Sequence, residues 1–298
     1  MAGIKLVVLA RENLAAVLGA VHEASGALPR FEKEALLSQV VPLANRSFQK
    51  VAIHLDAQPI ENQIRIRDTL IAEADSVAAY ALVPAEGINV RVAVFDTDST
   101  FINQEVIDEI AAYAGVKKEV AEITERAMQG ELDFNAALRE RVLLLKNLPA
   151  TVLPEIRRNK LSFTNGAPEF AQWLKAQGAA TYLLSGGFSY FTSSFCAELS
   201  LTGQFANELE IVDGRLTGKT LGAIVNRERK AALLKELATK HAAPLTATIA
   251  VGDGANDIDM AKTSGLGIAF CAKPALLKET FAAVFERDLR LIEYLIHP

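Results

Sequence analysis

Three apolar runs of strand length, RVAVF at 91–95, AATYLLS at 179–185 and ATIAVG at 247–252, each break off into Asp, Ser or Gly, with helix-patterned segments between them. Strands that are apolar throughout are buried on both faces, so such runs belong to the parallel sheet of an α/β fold. A weaker run, GLGIAF at 265–270, follows. Ligands of such sheets bind outside the carboxyl ends of the strands, and the conspicuous polar residues fall there. Asp96-Thr97-Asp98-Ser99-Thr100 follows the first run, Ser185-Gly186-Gly187 closes the second, and GDGANDIDM after the third supplies Asp253, Asn256 and Asp257. The span of about 103–165 is itself helix-patterned, in QEVIDEIAAYAG, VKKEVAEITERAMQG and FNAALRERVLLLKN, which predicts a helical cap inserted after the first core strand.

The first 84 residues have a different texture. IKLVVLA, QVVPLA, KVAIHLDA and SVAAYALVP read as strands, and RENLAAVLGAVHEAS and IENQIRIRDTLIAEA as helices. That order, βαββαβ, is a ferredoxin-like pattern ending near Pro84, with PAEGIN as a short linker. The expected organisation is a small α+β domain over 1–84 and an α/β domain over 85–298.

Composition narrows the function classes. Half the chain is apolar, 22% is charged and the net charge is -5, with no basic block or basic stripe interleaved with aromatics. Those electrostatics argue against a nucleic-acid role. Cys196 and Cys271 lie far apart without CxxC spacing, which argues against a disulfide framework or zinc site and for a reducing, cytoplasmic compartment. In MAGIKLVVLARENLAAVLGA the residues Arg11, Glu12 and Asn13 interrupt the apolar run, so no export signal is expected. No uninterrupted apolar segment approaches the roughly 20 residues that span a bilayer. His22, His54, His241 and His297 are scattered without ligand spacing.

Taken one at a time, the polar clusters have ordinary explanations. DTDST can be an Asx turn or a calcium-type cluster, SGG a plain strand-to-helix turn, Gly-Asp an ordinary turn, and Lys230, which opens KAALLKELA, a solvated helix residue. Set in order at successive strand ends, they match what phosphoryl transfer to a carboxylate requires. A hard divalent cation such as Mg²⁺ takes oxygen ligands, which the Asp96 and Asp253 carboxylates and the Asp98 backbone carbonyl supply. Asp96 is then the nucleophile, forming an aspartyl-phosphate. Asp98 protonates the leaving alkoxide and later deprotonates water. Ser185, the Gly186 amide and Lys230 hold the phosphoryl oxygens.

DxDST, SGG, Lys and GDGxND in this order resemble the haloacid dehalogenase superfamily. Within it the likeness to the phosphoserine phosphatases covers about residues 90–298, through FDTDSTFINQEVIDEIAAYAGV, ITERAMQGELDFNAALRERVLLLK, LLSGGF, FANELEIVDGRLTG and VGDGANDIDMAKTSGLGIAFCAKP. The resemblance implies a Rossmann-like core with a helical cap. It implies Mg²⁺-dependent hydrolysis of O-phospho-L-serine to L-serine and phosphate, the last step of serine biosynthesis. Carried over, Asp96 is nucleophile and Asp98 acid/base; Asp96, the Asp98 carbonyl and Asp253 bind Mg²⁺. Ser185, Gly186 and Lys230 grip phosphate beside Asn256, with Asp257 in support. In the cap, Glu105 reads the substrate ammonium, Arg141 its carboxylate, and Met128 and Phe134 close over it. A zwitterion does need one anion and one cation facing it. Thr97 departs from the pattern, which commonly has a hydrophobic residue there. The first 84 residues resemble the ACT-type domains of some bacterial members, implying regulation or a homodimer through that domain. The competing readings are a related phosphatase for another small phosphomonoester such as phosphohomoserine, a phosphotransferase to an alcohol, and a serine-sensing regulatory protein with a silent core. The intact set of Asp96, Asp98, Lys230 and Asp253 argues against the last.

Overall fold

The structure, a computed structural model, describes residues 3–26, 39–43, 46–56, 58–128 and 131–297. The chain opens with β1 (Ile4–Ala10), α1 (Leu14–Ser25), β2 (Gln39–Leu43), β3 (Arg46–Leu55), α2 (Ile60–Ala72) and β4 (Val77–Pro84). These are the elements the sequence predicts in the βαββαβ order, with α1 starting later, after Asn13 in a left-handed turn at φ 54°. The strands pair antiparallel in the spatial order β2-β3-β1-β4.

The core follows as β5 (Val92–Phe95), α3 (Val106–Ala114), α4 (Lys117–Met128), α5 (Phe134–Leu143), α6 (Val152–Asn159), α7 (Ala167–Ala176), β6 (Ala180–Phe188) and α8 (Ser189–Leu199). It continues through β7 (Gly203–Val212), β8 (Arg215–Leu221), α9 (Arg227–Lys240), β9 (Thr248–Gly252), α10 (Ile258–Thr263), β10 (Leu266–Phe270), α11 (Pro274–Leu277), β11 (Ala282–Val284) and α12 (Leu291–Ile296). β11, β10, β9, β5, β6 and β7 lie side by side and parallel. Every residue of β5 and of β9 is buried, as two-sided coverage by helices demands.

Two features go beyond the sequence reading. The sheet runs through the boundary expected near residue 84: β4 pairs antiparallel with β11, Tyr80 opposite Ala283, so both units share one 11-stranded sheet. β4 is therefore buried along its whole length except Pro84. The second is the β7–β8 hairpin at the far edge, turned by Asp213 and Gly214 at φ 48° and 73°. Asp-Gly between two strands is the type I′ hairpin signal, and it stands in the sequence as VDGR.

Helices α3–α6 form an insertion between β5 and β6, over the span read as a cap. Its entry and exit chains meet in an antiparallel bridge between Ile102 and Phe163. Edge-on ring contacts from Phe95 to Phe101 (5.4 Å), Phe101 to Phe163 (6.0 Å) and Phe163 to Phe195 (5.5 Å) tie β5 and α8 to that neck. Each such contact contributes about 0.5–1.5 kcal/mol beyond burial, so the base of the cap is anchored firmly.

Candidate active site

β5 ends at Phe95, and the backbone amide of Asp96 still donates to Val251 of β9 (2.9 Å), which sets the carboxylate at the sheet's carboxyl rim. Its Oδ1 accepts from the Thr97 amide (2.7 Å) and pairs with Lys230 Nζ (2.8 Å), while Oδ2 accepts from Asn256 Nδ2 (3.0 Å). Asp96 is thus gripped on both oxygens and 4% exposed.

Lys230 comes from α9, whose start is capped by the Asn226 side chain accepting from the Arg229 amide. It is fully buried and donates to Asp96 and to Asp257 Oδ1, both at 2.8 Å. Burial would depress the ammonium, but the two carboxylates outweigh it and hold Lys230 above the ordinary lysine range. Asp257 spends its other oxygen on the amides of Asp253 and Gly254, both 3.1 Å. Burial and then Asp96 raise its proton affinity, and Lys230 pulls it back. Gly252 is required here for space, since a Cβ would collide with the Asp257 carboxyl group.

Asp98 is different in kind. Its Oδ1 is enclosed and has no hydrogen-bond partner among the described residues, and burial, then Glu105, then Asp96 push its pKa well above the usual carboxylate range. A neighbouring pair of aspartates is thereby split, one oriented by an ammonium and the other prone to hold a proton. Ser99 follows in a left-handed conformation, φ 56°, and its hydroxyl donates to Glu105 Oε1 (2.7 Å).

At the end of β6 the Gly187 amide donates to Ser185 Oγ (2.9 Å). A Cβ on Gly187 would approach Asp98 Oδ2 to 2.9 Å, and one on Gly186 would approach the Phe134 ring to 2.9 Å, so both glycines are close-approach positions. The cap residue Phe134 accordingly lies over the Ser-Gly-Gly turn. Asn207 on β7, which sequence reasoning missed, holds that turn: its Nδ2 donates to the Gly186 carbonyl (2.8 Å) and its Oδ1 accepts from the Val225 amide (2.9 Å). An asparagine inside a strand is disfavoured, but that this one is 1% exposed is visible only in the folded chain.

The cavity between core and cap is lined by Asp96, Asp98, Glu105, Gly186, Gly187, Asp253, Asn256 and Lys273. Lys273, not singled out from sequence, is exposed at its mouth, and its amide donates to the Asp253 carbonyl (2.8 Å). Arg141 on α5 donates to the Ala137 carbonyl (3.2 Å) and to Thr124 Oγ1 on α4 (3.4 Å). Burial lowers its pKa, opposed by Glu105, Asp108 and Asp98, and Arg141 is not among the residues that line the cavity. The Met128 side chain lies outside the described residues.

Oxygen ligands for a cation are at hand. Single carboxylate oxygens of Asp96, Asp253 and Asp257 lie within 4.8 Å of one another. Among the described residues the Asp253 carboxylate accepts only a long bond from Thr100 Oγ1 (3.3 Å), and burial, then Asp96, push its pKa up to about 6. Crowded oxygens of this kind fit a hard divalent ion. The side-chain cluster contains Asp257 and not the Asp98 carboxylate.

The profile of the haloacid dehalogenase-like hydrolases matches residues 93–262, a span that includes every strand-end cluster described above. The chain belongs to that family. As a haloacid dehalogenase-like hydrolase it is 46% identical over 203 residues to a phosphoserine phosphatase of Streptococcus thermophilus, covering 68% of this chain and 94% of the relative. It is 43% identical over 234 residues to a phosphoserine phosphatase of Streptomyces coelicolor, covering 78% of this chain but only 57% of that longer relative. A solved phospho-aspartyl intermediate analogue of phosphoserine phosphatase superposes on this hydrolase with a TM-score of 0.65 at 42% identity, covering 69% of this chain and 99% of the other.

Proposed function

We propose that this hydrolase converts O-phospho-L-serine to L-serine and phosphate through an aspartyl-phosphate on Asp96. The observation that carries this reading is the division of labour on one turn: Asp96 held by Lys230, Asn256 and a backbone amide, and Asp98 with an enclosed, unpartnered oxygen. Asp96, Asp253 and the Asp98 carbonyl would hold Mg²⁺, which would supply positive charge against the phosphoryl group. An Asp96 oxygen attacks phosphorus, the bond to the serine oxygen breaks, and the Asp98 proton passes to that oxygen. Asp98, now a carboxylate, takes a proton from the water that attacks phosphorus, and Asp96 leaves with its oxygen restored. Ser185, the Gly186 amide, Lys230 and Asn256 hold the phosphoryl oxygens, and Asp257 keeps Lys230 in place.

Glu105 and Arg141 read the ammonium and carboxylate of the amino acid, with Phe134 and Met128 closing over it. Arg141→Ala is expected to lower kcat/KM for phosphoserine about 10²-fold, the scale of a lost charge-assisted contact, while an aryl phosphate loses less than about threefold. Equal losses on both would remove Arg141 from substrate recognition. We place the activity in a reducing cytoplasm, as the last step of serine biosynthesis, with residues 1–84 serving regulation or homodimer formation.

The deciding experiment is phosphate release from a panel of small phosphomonoesters, with Mg²⁺ and with a chelator. Phosphoserine should rank first in kcat/KM, and chelation should stop turnover until Mg²⁺ is restored. A non-zwitterionic ester or phosphohomoserine ranking above phosphoserine would reassign the substrate.

A further inference from the structure

The segment after β11 touches three parts of the molecule. Its Phe285 amide donates to the Ala78 carbonyl of β4 (2.8 Å), and the Glu286 carboxylate pairs with Arg11 (3.3 Å) and Arg46 (2.5 Å) of the first unit. On the cap's exit chain, the Leu289 amide donates to the Asn165 carbonyl (2.9 Å). Between these anchors Arg287 reaches the cap's entry chain, where Nη2 donates to the Ser99 carbonyl (3.2 Å) and Nη1 to the Asn103 side-chain oxygen (3.4 Å).

Ser99 directly follows Asp98 and holds a left-handed conformation, which is strained for a residue with a Cβ. A strained turn persists only where its surroundings over-determine it. The Ser99 hydroxyl is committed to Glu105, and its amide makes a long bond to the Gln104 carbonyl (3.3 Å). Arg287 supplies the hold from outside, on a segment pinned at both ends. Asp96 has separate restraints in Lys230, Asn256 and the Thr97 amide.

We propose that Arg287 is a positioning residue of the active site, a clamp from the C-terminal segment that keeps the Asp98–Ser99 turn aimed for proton transfer to the leaving oxygen. The inference rests on the reading of Asp98 as general acid. Without the clamp the Asp98 turn relaxes, whereas Asp96 keeps its partners. Esters whose leaving oxygen needs a proton should therefore suffer most, and those that depart as stable phenolates least.

The test is a series of alkyl and aryl phosphates lacking both ammonium and carboxylate, so that Glu105 and Arg141 do not enter. The parameter is kcat/KM, which reports the steps through phosphorylation of Asp96. Arg287→Ala should lower kcat/KM for alkyl phosphates at least about tenfold, a fraction of what general acid catalysis supplies, and for p-nitrophenyl phosphate less than about threefold. The slope of log kcat/KM against leaving-group pKa should steepen. Arg287→Lys should shift the slope the same way by less, and it serves if the alanine variant fails to fold. A parallel line, whether lowered uniformly or not at all, overturns the clamp. A wild-type enzyme inactive on every ester, phosphoserine included, would instead sink the reading of the site itself.

Discussion

Asp96→Asn is expected to abolish phosphate release, by at least about 10⁴-fold, the scale on which loss of a covalent nucleophile acts. The amide keeps the shape of the carboxyl group and can still accept from Thr97 and Lys230, so the fold should persist. Lys230 keeps Asp257 as its counter-ion at 2.8 Å, which prevents an isolated buried charge. Near-ultraviolet circular dichroism and the thermal midpoint should stay close to wild type while turnover vanishes. Residual activity above one part in a thousand, with hydrolysis of the introduced amide excluded by mass spectrometry, would mean that the phosphoryl group goes elsewhere.

Lys230→Met carries the second large effect, and it acts on stability as well as on rate. Its ammonium is fully buried and is the shared counter-ion of Asp96 and Asp257. Removing one member of a buried ionic set leaves uncompensated charge, at a cost of about 3–5 kcal/mol. Urea unfolding at neutral pH should register a loss of that order, and kcat should fall about 10²–10³-fold, as when one preorganised donor to a transition-state charge is lost. Methionine preserves the apolar stem and volume, so the deficit reads the charge and not a cavity. A variant as stable and as active as wild type would show that Lys230 only fills space.

Much of the site stood in plain view in the chain. Buried parallel strands must be apolar along their length, so RVAVF, ATYLL and TIAVG announce themselves, and any polar residue at their ends stands out against them. That is why Asp96, Asp98, Ser185, Asp253 and Asp257 could be named before any coordinates, and Lys230 from its place in their order. Residues that serve the site from elsewhere carried weaker signals. Asn207 sits in a strand that is mostly half-exposed, with no motif around it. Arg287 lies in ERDLR, which reads as ordinary surface charge, and its partner Ser99 is 188 residues away.

The same contrast holds for the fold. Local order dictates the βαββαβ opening, the helical cap and the strand-end chemistry, because hydrophobic periodicity and turn residues act over a few positions. No local pattern says which edges will pair. Val77–Val83 and Ala282–Val284 are both short apolar runs, and either could have met another strand. Only in the folded chain does β4 meet β11 and merge the two units into one sheet. Likewise, adjacency on the chain put Asp96 beside Asp98, but the raised proton affinity of Asp98 comes first from burial and then from Glu105, both of which exist only in the folded chain. The kinds of groups were written along the chain; their charges and aims depend on distances that exist only after folding, since electrostatic interaction is set by separation and burial.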